Sequence, residues 1–197
     1  MADSDDSPFR LRLAAHRDQL RSRLRYSKRF DSAESVPQFD TLGSCTMLLS
    51  KLIHPEITSI LAASGHHSTI LIADGNYPSL NKRGPNAKLI SMNLMPGLIT
   101  CDQALQAILS AVPIEAAMTM QTEETGPYAL DGDPPVWDDY RKTLRDAGSD
   151  VELKPLEKWA FYDHVITPDH VLTIQTADQQ RYANLLLVIG VRMSETE

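Results

Sequence analysis

The sequence from residue 54 to residue 191 alternates short apolar runs with amphipathic stretches, and this alternation constrains the fold most strongly. Thr69–Ala73 is an apolar run of the buried-strand type. Asp102–Val112 is an amphipathic stretch, and Pro113 ends it. Strands are predicted at Thr69–Ala73, Leu89–Asn93, Ala116–Gln121, Val151–Leu153, Val171–Thr176 and Asn184–Val191. Helices are predicted between His54 and Gly65 and over Asp102–Val112, Pro134–Ala147 and Pro155–Val165. Six strands interleaved with four helices predict an α/β fold, a three-layer α/β/α domain around a six-stranded, mostly parallel or mixed sheet.

The first 44 residues differ from the rest in composition. Residues 9–30 hold eight Lys and Arg against one acid, Asp18. Residues 32–43 contain Pro, Ser and Gly without a period, which is typical of a linker. We therefore predict an arginine-rich, solvated and flexible tail over residues 1–44 and one folded domain over residues 45–197. An arginine-rich amphipathic stretch is also typical of a mitochondrial transit peptide, although three aspartates stand among the first six residues.

Composition excludes several classes of protein. Residues 31–197 hold eleven Lys and Arg against twenty-two Asp and Glu, a net charge of −11, so we expect no nucleic-acid partner. No apolar run has the length of a membrane helix, so we expect no membrane insertion. Two cysteines cannot form a disulfide framework. This low cysteine content and the acidic residues at the start of the chain favour a cytoplasmic location, with mitochondria as the alternative.

Familiar cofactor motifs are also missing. The glycines form neither a dinucleotide fingerprint nor a P-loop, and there is no nucleophile elbow, no H-x-x-x-H pair and no C-x-x-C. His66 and His67 are adjacent, and on a helix both could not face one ion from the same side. We therefore predict no metal and no cofactor, which leaves proton-transfer chemistry.

Acid, base and hydrogen-bonding residues stand near predicted strand ends, where open α/β sheets bind ligands. Such a set suits a substrate with many hydroxyl groups. Plain structural roles stay open at this point: Asp74 as a turn cap, His66 as a surface or capping residue, Tyr162 as a core aromatic and Met120 as a core methionine. The candidates are His66, Asp74, Glu115, Tyr162, Tyr182 and Asn184.

Three ordered blocks resemble the ribose pyranase and fucose mutarotase family, and more closely its fucose mutarotase branch. They span about residues 47–193 and leave the tail outside the resemblance. The first resembles the family's N-terminal signature, the second the aromatic block of the branch, and the third its tyrosine–x–asparagine motif and last strand. They are Gly65-His66 with Ile70–Pro78, Trp159–Tyr162, and Arg181–Leu187 with Gly190.

The resemblance implies a cofactor-free sugar isomerase that interconverts the α and β anomers of L-fucose or a related monosaccharide. Ring opening needs an acid at the ring oxygen and a base at the anomeric hydroxyl, and closure reverses these roles. By position, the resemblance implies catalytic roles for His66, as proton donor, and for Tyr162. It implies substrate-binding roles for Asp74, Met120, Lys158, Tyr182 and Asn184.

Two positions depart from the family pattern. Glu115 stands where animal fucose mutarotases have a catalytic aspartate, and the resemblance assigns it that role with one more methylene. Lys158 stands where the branch commonly has arginine, so the charge is kept and the planar fork is lost. The resemblance also implies a homo-oligomer, commonly a decameric ring, with sites completed by a neighbouring subunit.

Alternative functions remain at this stage. One is ribose pyranase activity, the interconversion of pyranose and furanose rings, against which the Trp159–Tyr162 block argues. Another is a sugar-binding regulatory protein without turnover, and a third is an interaction scaffold that uses the basic tail.

Overall fold

The computed structural model describes residues 48–194, so the predicted tail lies outside the described residues. No helix among the described residues is long and apolar enough to cross a membrane. In chain order the described elements are α1 (Pro55–Ala63), β1 (Thr69–Ala73), β2 (Lys88–Ser91), α2 (Cys101–Leu109), β3 (Ile114–Met120), α3 (Pro135–Asp146), β4 (Leu153–Leu156), α4 (Lys158–Val165), β5 (His170–Gln175) and β6 (Leu185–Ile189).

The six strands form one mixed sheet in the order β2-β5-β1-β6-β3-β4. Strand β6 runs antiparallel to its neighbours β1 and β3, whereas the other three pairs are parallel. The predicted α/β fold with a six-stranded sheet is confirmed.

Side-chain alternation along the central strands divides the core between two faces of the sheet. Ile70 and Ile72 of β1 pack into a large cluster with residues of α1, α2 and α3. Leu71 of β1 packs on the other face, in a smaller cluster with Phe161 and Val165 of α4. Because both faces of β1 are covered, all five of its residues are buried, which explains its continuous apolar run.

The predicted helix Pro155–Val165 is wrong in its first turn. Pro155 lies in β4, opposite Thr119 of β3, and β4 is an edge strand, where the missing N–H of proline is tolerated. The helix begins at Lys158, after Glu157 has capped it by accepting hydrogen bonds from the amides of Trp159 at 2.8 Å and Ala160 at 3.1 Å.

The strands begin or end along two opposite sides of the sheet, and these two sides carry different residues. We call these sides edges, although they run across the strands and are not the edge strands β2 and β4. Because β1 and β3 run parallel and β6 runs against both, one edge receives the ends of β1 and β3 together with the start of β6. We call this the cavity edge. The opposite edge, which we call the histidine edge, receives the turn before β1, the start of β3 and the end of β6.

Candidate functional site

A cavity of about 430 Å³ opens at the cavity edge, and this volume lies within the range of small-molecule sites. It contains six of the eight side chains that the sequence predicted for the site, which come from four separate segments of the chain. These are Asp74, Met120, Lys158, Tyr162, Tyr182 and Asn184. The rest of the lining is Asn76, Tyr77, Pro78, Gln121, Glu123, Tyr128 and Arg181.

Asp74 and Asn184 form a buried reciprocal pair at the floor of this cavity. The side-chain amide of Asn184 donates to Oδ2 of Asp74 at 2.8 Å, and the backbone amide of Asp74 donates to Oδ1 of Asn184 at 2.9 Å. The amide of Asn76 donates to the other carboxylate oxygen at 2.9 Å. Asp74 is 3% exposed and Asn184 is 6% exposed. The pair fixes a carboxylate at the junction of β1 and β6.

Burial perturbs the protonation of this carboxylate. Removal from water raises the pKa of Asp74 from 3.8 to about 6, against the lowering effect of the amide hydrogen bonds from Asn76 and Tyr77. The negative charge of the nearby Asp178 also raises it. Asp74 therefore gains or loses a proton close to neutral pH.

Tyr162 is held in the cavity by its ring. The ring centroid lies 5.8 Å from that of Tyr77 and 5.9 Å from that of Trp159, and Nζ of Lys82 lies 5.3 Å from it. Partial burial raises the pKa of Tyr162, with an opposing effect of Lys158. No residue of the described range 48–194 makes a hydrogen bond to the Tyr162 hydroxyl, so this group is available to a ligand.

The Tyr182 hydroxyl, by contrast, is engaged within the chain. It donates to the carbonyl of Tyr128 at 2.8 Å and accepts from the amide of Glu123 at 3.1 Å. Tyr182 thus ties the loop of residues 122–134 to the cavity, and its positive φ of 61° turns the chain immediately before Asn184. Lys158 contacts the same loop, with Nζ 3.3 Å from Oε1 of Glu123.

Met120 serves both the core and the cavity. It is 8% exposed, belongs to the smaller core cluster and also lines the cavity. The structural role and the predicted binding role of this residue are therefore compatible.

The remaining two predicted residues, His66 and Glu115, lie at the histidine edge. Nε2 of His66 donates to Oε2 of Glu115 at 2.8 Å, and Nδ1 of His67 lies 3.5 Å from Oε1 of the same carboxylate. The five residues of β1 separate this group from Asp74 by at least about 13 Å. Within one chain, the structure does not bring His66 and Glu115 together with the cavity.

Neither histidine lies on a helix. His66 and His67 occupy the turn between α1 and β1, and this turn lets both imidazoles approach one carboxylate. Within the described part of the chain, they form with Glu115 the group of potential metal-ligating side chains whose ligand atoms lie within 4.8 Å of one another.

Sequence reasoning missed several lining residues, of which Arg181 and Glu123 carry charge. Arg181 donates to the carbonyl of Ala129 at 3.3 Å, and Glu123 reaches the site through Lys158 and Tyr182. Arg181 stands directly before the tyrosine–x–asparagine motif, which was a usable signal. Glu123 lies in a loop without any periodic pattern and gave none.

The chain is similar to known proteins over most of its length. Residues 47–192 match the model of the RbsD / FucU transport protein family. Fucose mutarotase from Danio rerio is 31% identical over 150 residues, which cover 73% of this chain and 92% of that protein. D-ribose pyranase from Geobacillus kaustophilus is 26% identical over 151 residues, which cover 77% of this chain and 99% of that protein.

A solved structure has the same fold. The fucose mutarotase from Streptococcus pneumoniae, in complex with L-fucose, superposes with a TM-score of 0.61 at 24% identity, covering 75% of this chain and 100% of that one. At this level of identity the likeness shows the fold alone.

Proposed function

Because the chain belongs to the RbsD / FucU transport protein family, we propose that it is a monosaccharide mutarotase. It is an isomerase that interconverts the α and β anomers of L-fucose or a related sugar without a metal or nucleotide cofactor. The observation that carries the proposal is the cavity edge, where a buried carboxylate–amide pair stands beside a tyrosine hydroxyl that makes no hydrogen bond to residues 48–194. The 31% identity to a fucose mutarotase supports the choice of sugar.

The chemistry requires only proton transfers. To open the ring, an acid protonates the ring oxygen while a base removes the proton of the anomeric hydroxyl, so the C1–O5 bond breaks and a free aldehyde forms. Closure on either face of the aldehyde returns both protons and gives either anomer. Positioned acids and bases accelerate such steps by about 10²–10⁴-fold, which suffices because sugars also mutarotate slowly in water.

The residues divide between holding the sugar and moving protons. Asp74 and Asn184 face the cavity with hydrogen-bonding atoms, so they bind sugar hydroxyls, and Met120, Lys158 and Tyr182 shape the wall. Tyr162 contacts the reacting oxygens through its hydroxyl. His66, paired with Glu115, donates the proton.

This division requires more than one copy of the chain. His66 and Tyr162 belong to opposite edges of the sheet, so a single chain cannot present both to one sugar. We propose a homo-oligomeric ring, a decamer by the family resemblance, in which the histidine edge of one copy closes the cavity of its neighbour. We further propose that the assembly works in the cytoplasm.

Saturation-transfer NMR on purified protein tests the activity. L-fucose, D-ribose and D-galactose are each monitored for exchange between anomers and between ring forms. We expect faster anomer exchange of L-fucose than in buffer, and loss of this acceleration in His66→Ala. If no sugar exchanges faster than in buffer, the enzymatic function is wrong, and a sugar-binding protein without turnover remains.

The same spectra distinguish the second enzymatic function. The 26% identity to a D-ribose pyranase favours it as the alternative, and faster pyranose–furanose exchange of ribose without anomer exchange of fucose would establish it.

Mixed assemblies test the shared site. His66→Ala and Tyr162→Phe chains, each inactive alone, are co-expressed in equal amounts. If each site combines His66 of one copy with Tyr162 of another, random mixing restores about a quarter of wild-type activity, since both contributors must be intact (½ × ½). Sites contained in single chains would give no recovery.

A further inference from the structure

We infer that His66, His67 and Glu115 form a binding site for a divalent transition-metal ion of the zinc class, and that an ion bound there switches the enzyme off. The site lies at the histidine edge, apart from the sugar cavity of the same chain. The inhibitory part of this inference rests on the proposed function, because it depends on His66 as proton donor, whereas metal binding itself does not.

One ligand atom from each of the three residues lies within 4.8 Å of the other two, close enough for one ion to bind all three. Zinc binds imidazole nitrogen at about 2.0–2.1 Å and carboxylate oxygen at about 2.0–2.2 Å, so a tetrahedral ion places neighbouring ligand atoms about 3.3 Å apart. Nε2 of His66 lies 2.8 Å from one oxygen of Glu115, and Nδ1 of His67 lies 3.5 Å from the other. The fourth position of a tetrahedral ion is left for water or another ligand.

The turn that carries the two histidines is built so that their rings converge. His67 has a φ of 67°, a left-handed conformation that only a few residue types other than glycine adopt. The ring centroids of His66 and His67 lie 4.1 Å apart at an interplanar angle of 34°. Neighbouring side chains in extended or helical backbone point in different directions, so the positive φ is what allows both rings to reach Glu115.

The turn and the carboxylate are fixed to the same strand. The amide of His67 donates to the carbonyl of Ile189 in β6 at 3.0 Å, and the amide of Ile189 donates to the carbonyl of Ser68 at 2.9 Å. On the other side, a Cβ at Gly190 would lie 3.2 Å from Cβ of Glu115, so the lack of a side chain there lets β6 approach Glu115 closely. The backbone that carries the ligands is thus anchored before any ion arrives, which lowers the entropic cost of binding.

The carboxylate of Glu115 has oxygen lone pairs that can bind an ion. In residues 48–194 only the two imidazoles make hydrogen bonds or ion pairs to the Glu115 side chain, and no lysine or arginine neutralises it. A divalent ion bound to Nε2 of His66 takes the place of the hydrogen bond to Glu115, with the proton moving to Nδ1 of the same ring or to water, and brings positive charge to the carboxylate. Two imidazoles and one carboxylate are ligands that zinc, cobalt and nickel prefer over magnesium or calcium.

An ion in this position removes the group that the proposed reaction needs. Nε2 of His66 cannot both bind a metal ion and carry a proton to the sugar. We therefore expect metal ions to compete with turnover, and a chelator to restore it.

The test uses full-length protein without an affinity tag, with Co²⁺ as an optical probe and Zn²⁺ for calorimetry and inhibition. We expect one ion per chain, visible cobalt absorption bands, and an at least tenfold slower L-fucose anomer exchange with saturating Zn²⁺, reversed by EDTA. His67→Asn keeps a residue that tolerates positive φ, and Glu115→Gln keeps the shape of the side chain. Loss of one ligand in either variant weakens metal binding by at least about tenfold.

His164→Ala is the matched control. His164 is exposed on α4 and does not belong to the group of side chains whose ligand atoms lie within 4.8 Å of one another, so its removal leaves metal binding and inhibition unchanged. Equal metal affinity of wild type and His67→Asn would overturn the site. Binding that leaves anomer exchange unaffected would overturn the inhibition. If the metal-free protein accelerates the anomer exchange of no sugar, the proposed function is wrong. The cobalt spectrum then tests the metal site independently of the activity.

Discussion

The two edges of the sheet each present a carboxylate beside a nitrogen-bearing side chain, but in opposite environments. At the cavity edge, Asp74 and Asn184 are 3% and 6% exposed, and backbone amides complete their hydrogen bonds. At the histidine edge, the side chains of His66 and Glu115 are 44% and 35% exposed. A buried carboxylate needs hydrogen bonds from the groups that surround it, whereas an exposed one is also solvated by water. Under the proposed function, the first edge holds the sugar and the second acts on the sugar of a neighbouring copy.

Tyr162→Phe gives the largest expected effect, which is a loss of anomer exchange. The substitution also distinguishes a role of the hydroxyl in the reaction from a role in packing at the cavity edge. Its hydroxyl makes no hydrogen bond to residues 48–194, so its loss changes the unfolding free energy by less than about 0.5 kcal/mol. Anomer exchange of L-fucose falls by about 10²–10⁴-fold, the usual contribution of one positioned proton-transfer group. Saturation-transfer NMR and urea unfolding measure the two quantities.

Tyr77→Phe is the control for this experiment. The Tyr77 hydroxyl donates to the carbonyl of Lys82 at 2.8 Å, so its removal costs stability, about 1 kcal/mol. A Tyr162→Phe protein with undiminished exchange would show that the free hydroxyl has no part in the reaction.

Asn184→Ala tests whether the buried edge depends on internal pairing. The variant removes both hydrogen bonds between Asn184 and Asp74 and leaves a buried carboxylate without its amide partner. We expect a loss of about 3–4 kcal/mol in unfolding free energy at pH 7.5, measured by urea unfolding.

Asn76→Ala is the matched control for this loss. Asn76 is exposed and contacts Asp74 through its backbone amide only, so the substitution costs less than about 0.5 kcal/mol. Equal losses in the two variants would mean that the pairing of Asp74 contributes nothing specific.

The fold was predictable from sequence where local pattern and tertiary burial agree. Thr69–Ala73 is the strand that its apolar run predicts, because a strand covered on both faces needs no polar alternation. Pro155 was placed in a helix because its position at the sheet edge depends on strand order, which no local pattern encodes.

The candidate site was predictable in its residues more than in its arrangement. Asp74 and Asn184 stand at strand ends, where a sheet binds ligands, and the strand directions bring them together. The separation of His66 from Tyr162 follows from the mixed strand order, and the convergence of His66 and His67 follows from one positive φ. Neither property is visible in residue types or spacing.

Asp74→Asn tests the burial of the carboxylate at the cavity edge through the pH dependence of the unfolding free energy. The pKa of Asp74 is raised to about 6 in the folded protein, so the folded state holds this proton more tightly than the unfolded state does. The resulting stability is present below about pH 4 and is lost as the pH rises through about 6. Relative to Asp74→Asn, the wild type therefore loses about 2–3 kcal/mol of unfolding free energy over that interval.

The difference between the two proteins isolates this carboxyl from an opposing group. Burial lowers the pKa of His170, so His170 reduces stability as the pH falls, in the wild type and the variant alike. Urea unfolding at pH 4.5, 5.5, 6.5 and 7.5 provides the curves. Parallel curves for the two proteins would show that Asp74 titrates as an exposed carboxyl does.

Glu115→Gln probes the exposed edge, with the smallest expected effect on stability. Solvent screens the pair of His66 and Glu115, and such surface pairs contribute about 0–1 kcal/mol, so urea unfolding of the variant stays within about 1 kcal/mol of the wild type. A loss above about 2 kcal/mol would mean that the histidine edge is held together as the cavity edge is. Anomer exchange nevertheless falls in Glu115→Gln, because the amide cannot accept the proton of Nε2 with the strength of a carboxylate. A substitution that slows turnover without changing stability is expected at an edge that acts on an outside molecule. At an edge whose residues stabilise one another, a substitution also lowers the stability.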